Sequence, residues 1–134
     1  MDEGFTLVEM LVVLGIIVLL AAMVAPQVIR YLGSARSETA AIQLKNIESA
    51  LELYYLDTGQ YPNKNDGLKA LLEQPASLAG WRGPYIKKSS GILDPWGKVY
   101  IYKLPGEHGN FDLSSLGRDG LPGGEGEDKD LQNW

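Results

Sequence analysis

"GFTLVEMLVVLGIIVLL" (residues 4–20) is apolar almost throughout, and one residue in it is out of place. The apolar run covers residues 5–25, with Thr6 and Glu9 its only clearly polar members. As a helix rising 1.5 Å per residue it reaches about 30 Å, the thickness of a bilayer's hydrocarbon core. Between Phe5 and Val24 stand 13 residues of type Leu, Ile, Val or Phe. Together they favour insertion by about 4 to 8 kcal/mol, against a cost of about 2.5 to 3.5 kcal/mol for one acid. The segment therefore inserts in spite of Glu9. Insertion tolerates the acid without explaining it.

Three readings of the run compete. A cleaved signal peptide needs a basic start and a short apolar stretch. Here Asp2 and Glu3 precede a run too long for that role. An ordinary single-span anchor leaves Glu9 a nuisance. The third reading uses spacing, because Phe5 and Glu9 are four residues apart and share one helix face. A cut after Gly4 would place an ammonium at Phe5, at the depth of Glu9. In an assembly of such helices one subunit's ammonium neutralises its neighbour's carboxylate. The acid is then unsatisfied in a single chain and satisfied in a polymer, so its cost favours assembly.

Gly4, Phe5, Thr6, Leu7, Val8 and Glu9 resemble the class III leader-cleavage motif of type IV pilins and pseudopilins. The resemblance implies that a membrane-embedded prepilin peptidase cuts between Gly4 and Phe5. It also implies that Phe5 is then N-methylated and that Glu9 is the acid required for efficient assembly. Residues 1–4 are expected to be a leader remnant. Leaders in the family are usually basic, whereas Met1-Asp2-Glu3-Gly4 is acidic.

The chain has 134 residues, 45% of them hydrophobic, which bounds it to one modest domain beside the apolar segment. It has no cysteine, so no disulfide can staple a domain that small. A net charge of −5 argues against a nucleic-acid partner. Arg30, Arg36 and Lys45 form no basic stripe, since Glu38, Glu48 and Glu52 interrupt them.

Beyond Pro26, the positions Ala40, Leu44, Ile47, Leu51 and Tyr54 or Tyr55 make one helical stripe. Charged residues occupy the other faces, and Asp57-Thr58-Gly59 is a stop signal. One helix over residues 5–57 is expected, transmembrane over 5–25 and amphipathic over 26–57. Pro26 removes a backbone hydrogen bond and is expected to bend or locally melt it, with Gly33 a second soft point.

Residues 58–134 read as an α+β head. A short helix is expected over residues 67–73 and a short strand at Tyr85-Ile86. Further strands are expected over 99–102 and 111–113, giving a small antiparallel sheet packed on the stripe. Asp94-Pro95-Trp96-Gly97 reads as a tight turn whose tryptophan caps the core. His108, the sole histidine, reads as an exposed loop residue. Nothing resembles a nucleophile elbow, phosphate loop or zinc signature, so the chain is not expected to be an enzyme. A membrane-tethered enzyme would need a concave polar pocket that so small a head can hardly supply.

"YPNKNDGLKAL" (61–71) and "DPWGKVYIY" (94–102) narrow the resemblance to the major pseudopilins of type II secretion systems. That implies a structural subunit polymerising into a periplasmic helical filament that helps export folded proteins across the outer membrane. The anchor would cross the bacterial inner membrane once, with the head in the periplasm. The homopolymer would work with the prepilin peptidase, minor pseudopilins and an inner-membrane assembly platform. The alternative is a type IV pilus subunit for adhesion, motility or DNA uptake, although many such pilins close a C-terminal loop with a disulfide.

The acidic loop over residues 116–130 ends the reading. Between Asp119 and Asp130 lie five acids against one lysine, together with four glycines and a proline. Composition fits a solvated, disordered tail. Such a tail leaves Leu131 and Trp134 unexplained, and the spacing fails the EF-hand pattern. A noncanonical oxygen cage is feasible, since calcium takes 6 to 8 oxygens. By resemblance, major pseudopilins bind one Ca2+ in this loop. Carried over, Asp119, Asp128 and Asp130 give carboxylates and Leu116 and Leu121 give backbone oxygens, with Glu125 and Glu127 solvated.

Overall fold

A computed structural model describes residues 3–76 and 78–134. The dominant element is α1, Leu7–Thr58, one helix of 52 residues. The chain divides into two compact units, one ending at Ser34 and the other Ala35–Trp134.

From Met10 to Ala25 α1 is apolar on every face. Leu7, Val8, Leu11, Ile17, Leu19 and Met23 are all more than half exposed. A helix apolar all round and without neighbours lacks the environment its sequence calls for. Among the described residues α1 alone is long and apolar enough to cross a membrane. It is continuous through Pro26 and Gly33, so the local melting expected at Pro26 is not present in the single chain. Proline deprives only the carbonyl of Ala22 of its donor, and the neighbouring turns keep theirs.

In the second unit the expected stripe is the core. Ala40, Leu44, Ile47, Leu51 and Tyr54 are at most 4% exposed, and Tyr54 rather than Tyr55 continues the stripe. Leu68, Leu71, Ile92, Tyr100, Phe111 and Leu113 pack into the same cluster. The first of the small elements is a 3-10 helix, Gly67–Leu71, whose carbonyls tie down the loop that follows. Trp81 Nε1 donates to the Ala70 carbonyl at 2.8 Å, and the amides of Tyr85 and Ile86 both donate to the Leu71 carbonyl. Tyr85-Ile86 is therefore not the expected strand, because its amides are spent on one carbonyl rather than on a ladder.

The sheet is antiparallel, in the order β1 (Ile101–Lys103), β2 (Asp112–Ser115), β3 (Leu131–Gln132). Ile101 faces Ser114 across β1 and β2, and Ser115 faces Leu131 across β2 and β3. β1 starts later than the β-branched run suggests. Val99 bridges Leu93 instead, and Tyr100 turns inward, its hydroxyl donating to the Ala40 carbonyl at 3.0 Å. Burial, with the charge of Asp94 adding to it, pushes the Tyr100 phenol well above its ordinary pKa. β3 has no counterpart in the sequence reading, and it gives Leu131 its place against the core.

The turn at Asp94 forms as expected, with Asp94 Oδ1 accepting from the amides of Trp96 and Lys98. Asp94 is buried, and its Oδ2 accepts from Ser115 Oγ at 2.9 Å, which ties the turn to β2. Trp96, however, does not cap the core. Its indole N–H reaches Glu127 at 3.3 Å, because the turn directs the ring toward the acidic loop.

Ile47 and Leu51 are fully buried at the centre of the stripe. Truncating either to alanine removes three or so methyl-sized groups and leaves a cavity, at a cost of about 2–5 kcal/mol. Urea unfolding of the detergent-extracted protein, followed by tryptophan fluorescence, checks this. A loss well below about 1 kcal/mol at both positions would contradict the assigned core.

Candidate functional site

At the start of α1 the spacing Thr6-Leu7-Val8-Glu9 forms a capping box. The Thr6 amide donates to Glu9 Oε2 at 3.0 Å, and the Glu9 amide donates to Thr6 Oγ1 at 3.2 Å. Two donors that the first helical turn leaves over are thereby satisfied reciprocally. The carboxylate also sits at the positive end of the helix dipole. The expectation that Glu9 is unsatisfied in a single chain is corrected accordingly, since one of its oxygens already has a donor. The signal for it in the sequence is a threonine and a glutamate three residues apart. Phe5, Val8, Glu9, Val12 and Val13 line one open recess, which puts Phe5 and Glu9 on the same face. Nothing lies within 4 Å of where a Gly4 side chain would begin, so the fold itself does not demand glycine there.

The acidic loop is ordered by its own contacts rather than solvated. Asp119 Oδ1 accepts from the Leu121 amide at 3.1 Å, and Asp130 Oδ2 from the Gly123 amide at 2.9 Å. Asp130 Oδ1 is buried with no hydrogen-bond partner. Asp128 takes Arg118 Nε on one oxygen and Nη2 on the other, at 3.0 and 3.1 Å. Leu116 is half-buried and the side chain of Leu121 exposed. Glycine is needed at two places. A Cβ on Gly117 would lie 2.7 Å from the Glu127 carbonyl oxygen, and one on Gly124 would lie 2.7 Å from that of Asp128. Asp119, Asp128 and Asp130 do not converge, and no cluster of three or more metal-ligating side chains exists among the described residues.

Glu127 departs furthest from expectation. Its side chain is only 11% exposed. It accepts from Arg118 Nη1, from Arg36 Nη1 on α1 and from the Trp96 indole, at 3.2, 3.4 and 3.3 Å. Arg36 lies 91 residues away in sequence, so no local signal announced the contact.

His108 is half exposed yet fixed. Its ring stacks on Trp134 with centroids 4.1 Å apart and planes 4° from parallel, and its Nδ1 lies 3.1 Å from Asp112 Oδ2. Asp112 is buried and also accepts from the backbone amides of Glu107 and His108. Burial pushes its pKa up, but those amides and the His108 ring outweigh burial and leave it below the usual carboxylate value. The hollow beside it is lined by Glu48, Glu52, Asn133 and Trp134, with no serine, threonine or cysteine among its lining residues.

Comparison with known proteins places this architecture. Residues 27–134 match the family described as type II secretion system protein G, and residues 1–25 match the prokaryotic N-terminal methylation motif. The chain is 43% identical to the type II secretion system core protein G of Pseudomonas aeruginosa, over 99% of this chain and 95% of that one. It is 40% identical to the core protein G of Vibrio cholerae, over 99% of this chain and 92% of that one. Among solved structures it is similar to the major pseudopilin from the type 2 secretion system of enterohaemorrhagic Escherichia coli. That match has a TM-score of 0.62 and 34% identity, over 75% of this chain and 87% of that one.

Because the pKa of Asp112 is depressed on folding, its stabilising contribution is full above the ordinary carboxylate range. It is lost as pH falls through the folded value, below the ordinary carboxylate range. Asp112→Asn should therefore lower the melting temperature at pH 7 and flatten the fall in melting temperature on acidification. Parallel melts of both proteins from pH 7 down to about 3 check this. Equal acid sensitivity in the two would contradict the role given to Asp112.

Proposed function

The chain belongs to the type II secretion system protein G family, the major pseudopilins, and we propose on that premise how its two ends serve a filament. It is a structural subunit of the pseudopilus, and a type IV pilus role is not favoured. The carrying observation is the N-terminal part of α1, which opens within the Gly4–Glu9 motif and is then apolar on all faces and unburied. Such a helix needs lipid before assembly and other helices after it.

In this reading prepilin peptidase cuts between Gly4 and Phe5, and Phe5 is N-methylated. The open space around Gly4 supports a requirement set by an enzyme rather than by packing. The Phe5 ammonium of one subunit meets Glu9 of the next, on the oxygen that Thr6 leaves free. The anchor crosses the inner membrane once, with the head in the periplasm. Minor pseudopilins and an inner-membrane assembly platform are its working partners, and the filament drives folded proteins outward. The subunit's part is mechanical, not catalytic.

The C-terminal loop is the proposed calcium site. Its donors are all oxygen, which suits a hard cation, and the buried, unpartnered Asp130 Oδ1 is an acceptor in need of one. Asp119, Asp128 and Asp130, drawn together from the separate contacts they make in the metal-free loop, would hold the ion with the carbonyls of Leu116 and Leu121. Bound there, calcium would supply charge neutralisation and a cross-link in a domain without disulfides. Tightening the loop would also brace the approach to β3.

Two experiments test the reading. Glu9→Leu should enter the membrane as well as the wild type yet form few or no filaments in an assembly assay. Abundant filaments from that variant would sink the pairing. Intact mass of protein from native membranes should show a chain beginning at Phe5 with one added methyl. For the loop, chelating calcium should lower the melting temperature by about 4–8 °C, the shift expected for roughly 1 kcal/mol in a head of this size. Magnesium should restore it poorly, and Asp119→Ala should abolish the response. A melting temperature indifferent to chelator and calcium alike would exclude the site.

A further inference from the structure

The loop that carries five acids between Asp119 and Asp130 closes on a cation of its own. Arg118 presents three N–H groups to two adjacent acids. Its Nε and Nη2 grip the two oxygens of Asp128 side-on, and its Nη1 reaches Glu127 Oε2 at 3.2 Å. Paired parallel bonds of this kind add directional strength to charge attraction. The backbone reinforces the side chain, for the Arg118 amide donates to the Glu127 carbonyl at 2.8 Å. On its other side the Arg118 carbonyl accepts from Lys98 Nζ at 3.2 Å. Arg36 then brings a second guanidinium to Glu127, at 3.4 Å.

We infer that Arg118 is a built-in counter-cation of the C-terminal loop, holding it closed without metal and competing with a divalent cation for Asp128. The competition rests on the calcium reading given above; the closure does not. A guanidinium fixed on both oxygens of Asp128 takes one acceptor site on each and, being cationic, opposes a dication brought to the same carboxylate. An exposed ion pair alone would contribute little, and Arg118 is 54% exposed. Here the same guanidinium also engages Glu127, itself nearly buried and shared with α1 and Trp96, so three segments depend on one arrangement. The metal-free loop is then folded, and calcium tightens it instead of creating it.

The test compares full-length wild type with Arg118→Gln and Arg118→Lys in detergent, first with chelator and then with calcium chloride. Melting is followed by tryptophan fluorescence, and calcium affinity is measured by titration calorimetry. With chelator, Arg118→Gln should melt about 4–8 °C lower than wild type and be cut faster in the loop by proteinase K. It should bind calcium about fivefold tighter or more, so that the melting temperatures converge at saturating calcium. Arg118→Lys keeps the charge but loses the fork, and should fall between the two. Equal destabilisation with and without calcium, or an unchanged affinity, would overturn the competition and leave the calcium reading intact. Absence of calcium binding in every protein would overturn the calcium reading and the competition together. Closure is judged separately, and an Arg118→Gln loop as stable and as protected as wild type in chelator would overturn it.

Discussion

The head depends on a single strip of side chains. Ala40, Leu44, Ile47, Leu51 and Tyr54 are the continuous apolar surface on which its short elements meet. The strands are two to four residues long and the 3-10 helices three to five, too short to stand alone. The segments between them are tied to α1 instead. The Tyr100 hydroxyl donates to the Ala40 carbonyl of α1, the Tyr85 hydroxyl to Asp57 and the Tyr61 hydroxyl to Glu52. These bonds let each tyrosine cover apolar surface while its polar tip finds an acceptor on the helix. A domain without disulfides replaces covalent staples with a ring of such ties.

Charge is handled with the same economy. The acids of the C-terminal loop would repel one another if left to water, but most are already spoken for. Asp119 and Asp130 take backbone amides, while Glu127 and Asp128 take guanidinium groups. The loop is thus a set of local turns fastened at one well-shielded glutamate. That glutamate joins it to α1 and to the turn at Trp96.

Helical periodicity made the core strip legible from sequence, and the uninterrupted apolar run did the same for the membrane-compatible segment. Both signals are local and repeat many times. The misplaced elements share the opposite property. The start of β1 is decided by whether the Tyr100 hydroxyl finds Ala40, sixty residues earlier. β3 is two residues long and exists because Asn133 pairs with Leu113 through both its amide and its side chain. Trp134 needed a partner, and His108 was it, but neither residue betrays the other. In the candidate sites the residues themselves were visible, and their present bonds were not. From sequence Glu127 reads as solvated, because Arg36 is remote in the chain and Trp96 reads as a core residue.

The capping box at Thr6 and Glu9 bears on how a filament could grow one subunit at a time. Both bonds of the box use groups that remain when the chain is cut after Gly4, so processing leaves the helix start intact. A free glutamate side chain samples many rotamers, and pairing it with a neighbour's ammonium would mean giving that freedom up at the moment of docking. In this subunit the freedom is surrendered earlier, on folding, to Thr6. An incoming subunit that paired there would meet a carboxylate already aimed, and the entropic barrier to each addition would be lower by that amount.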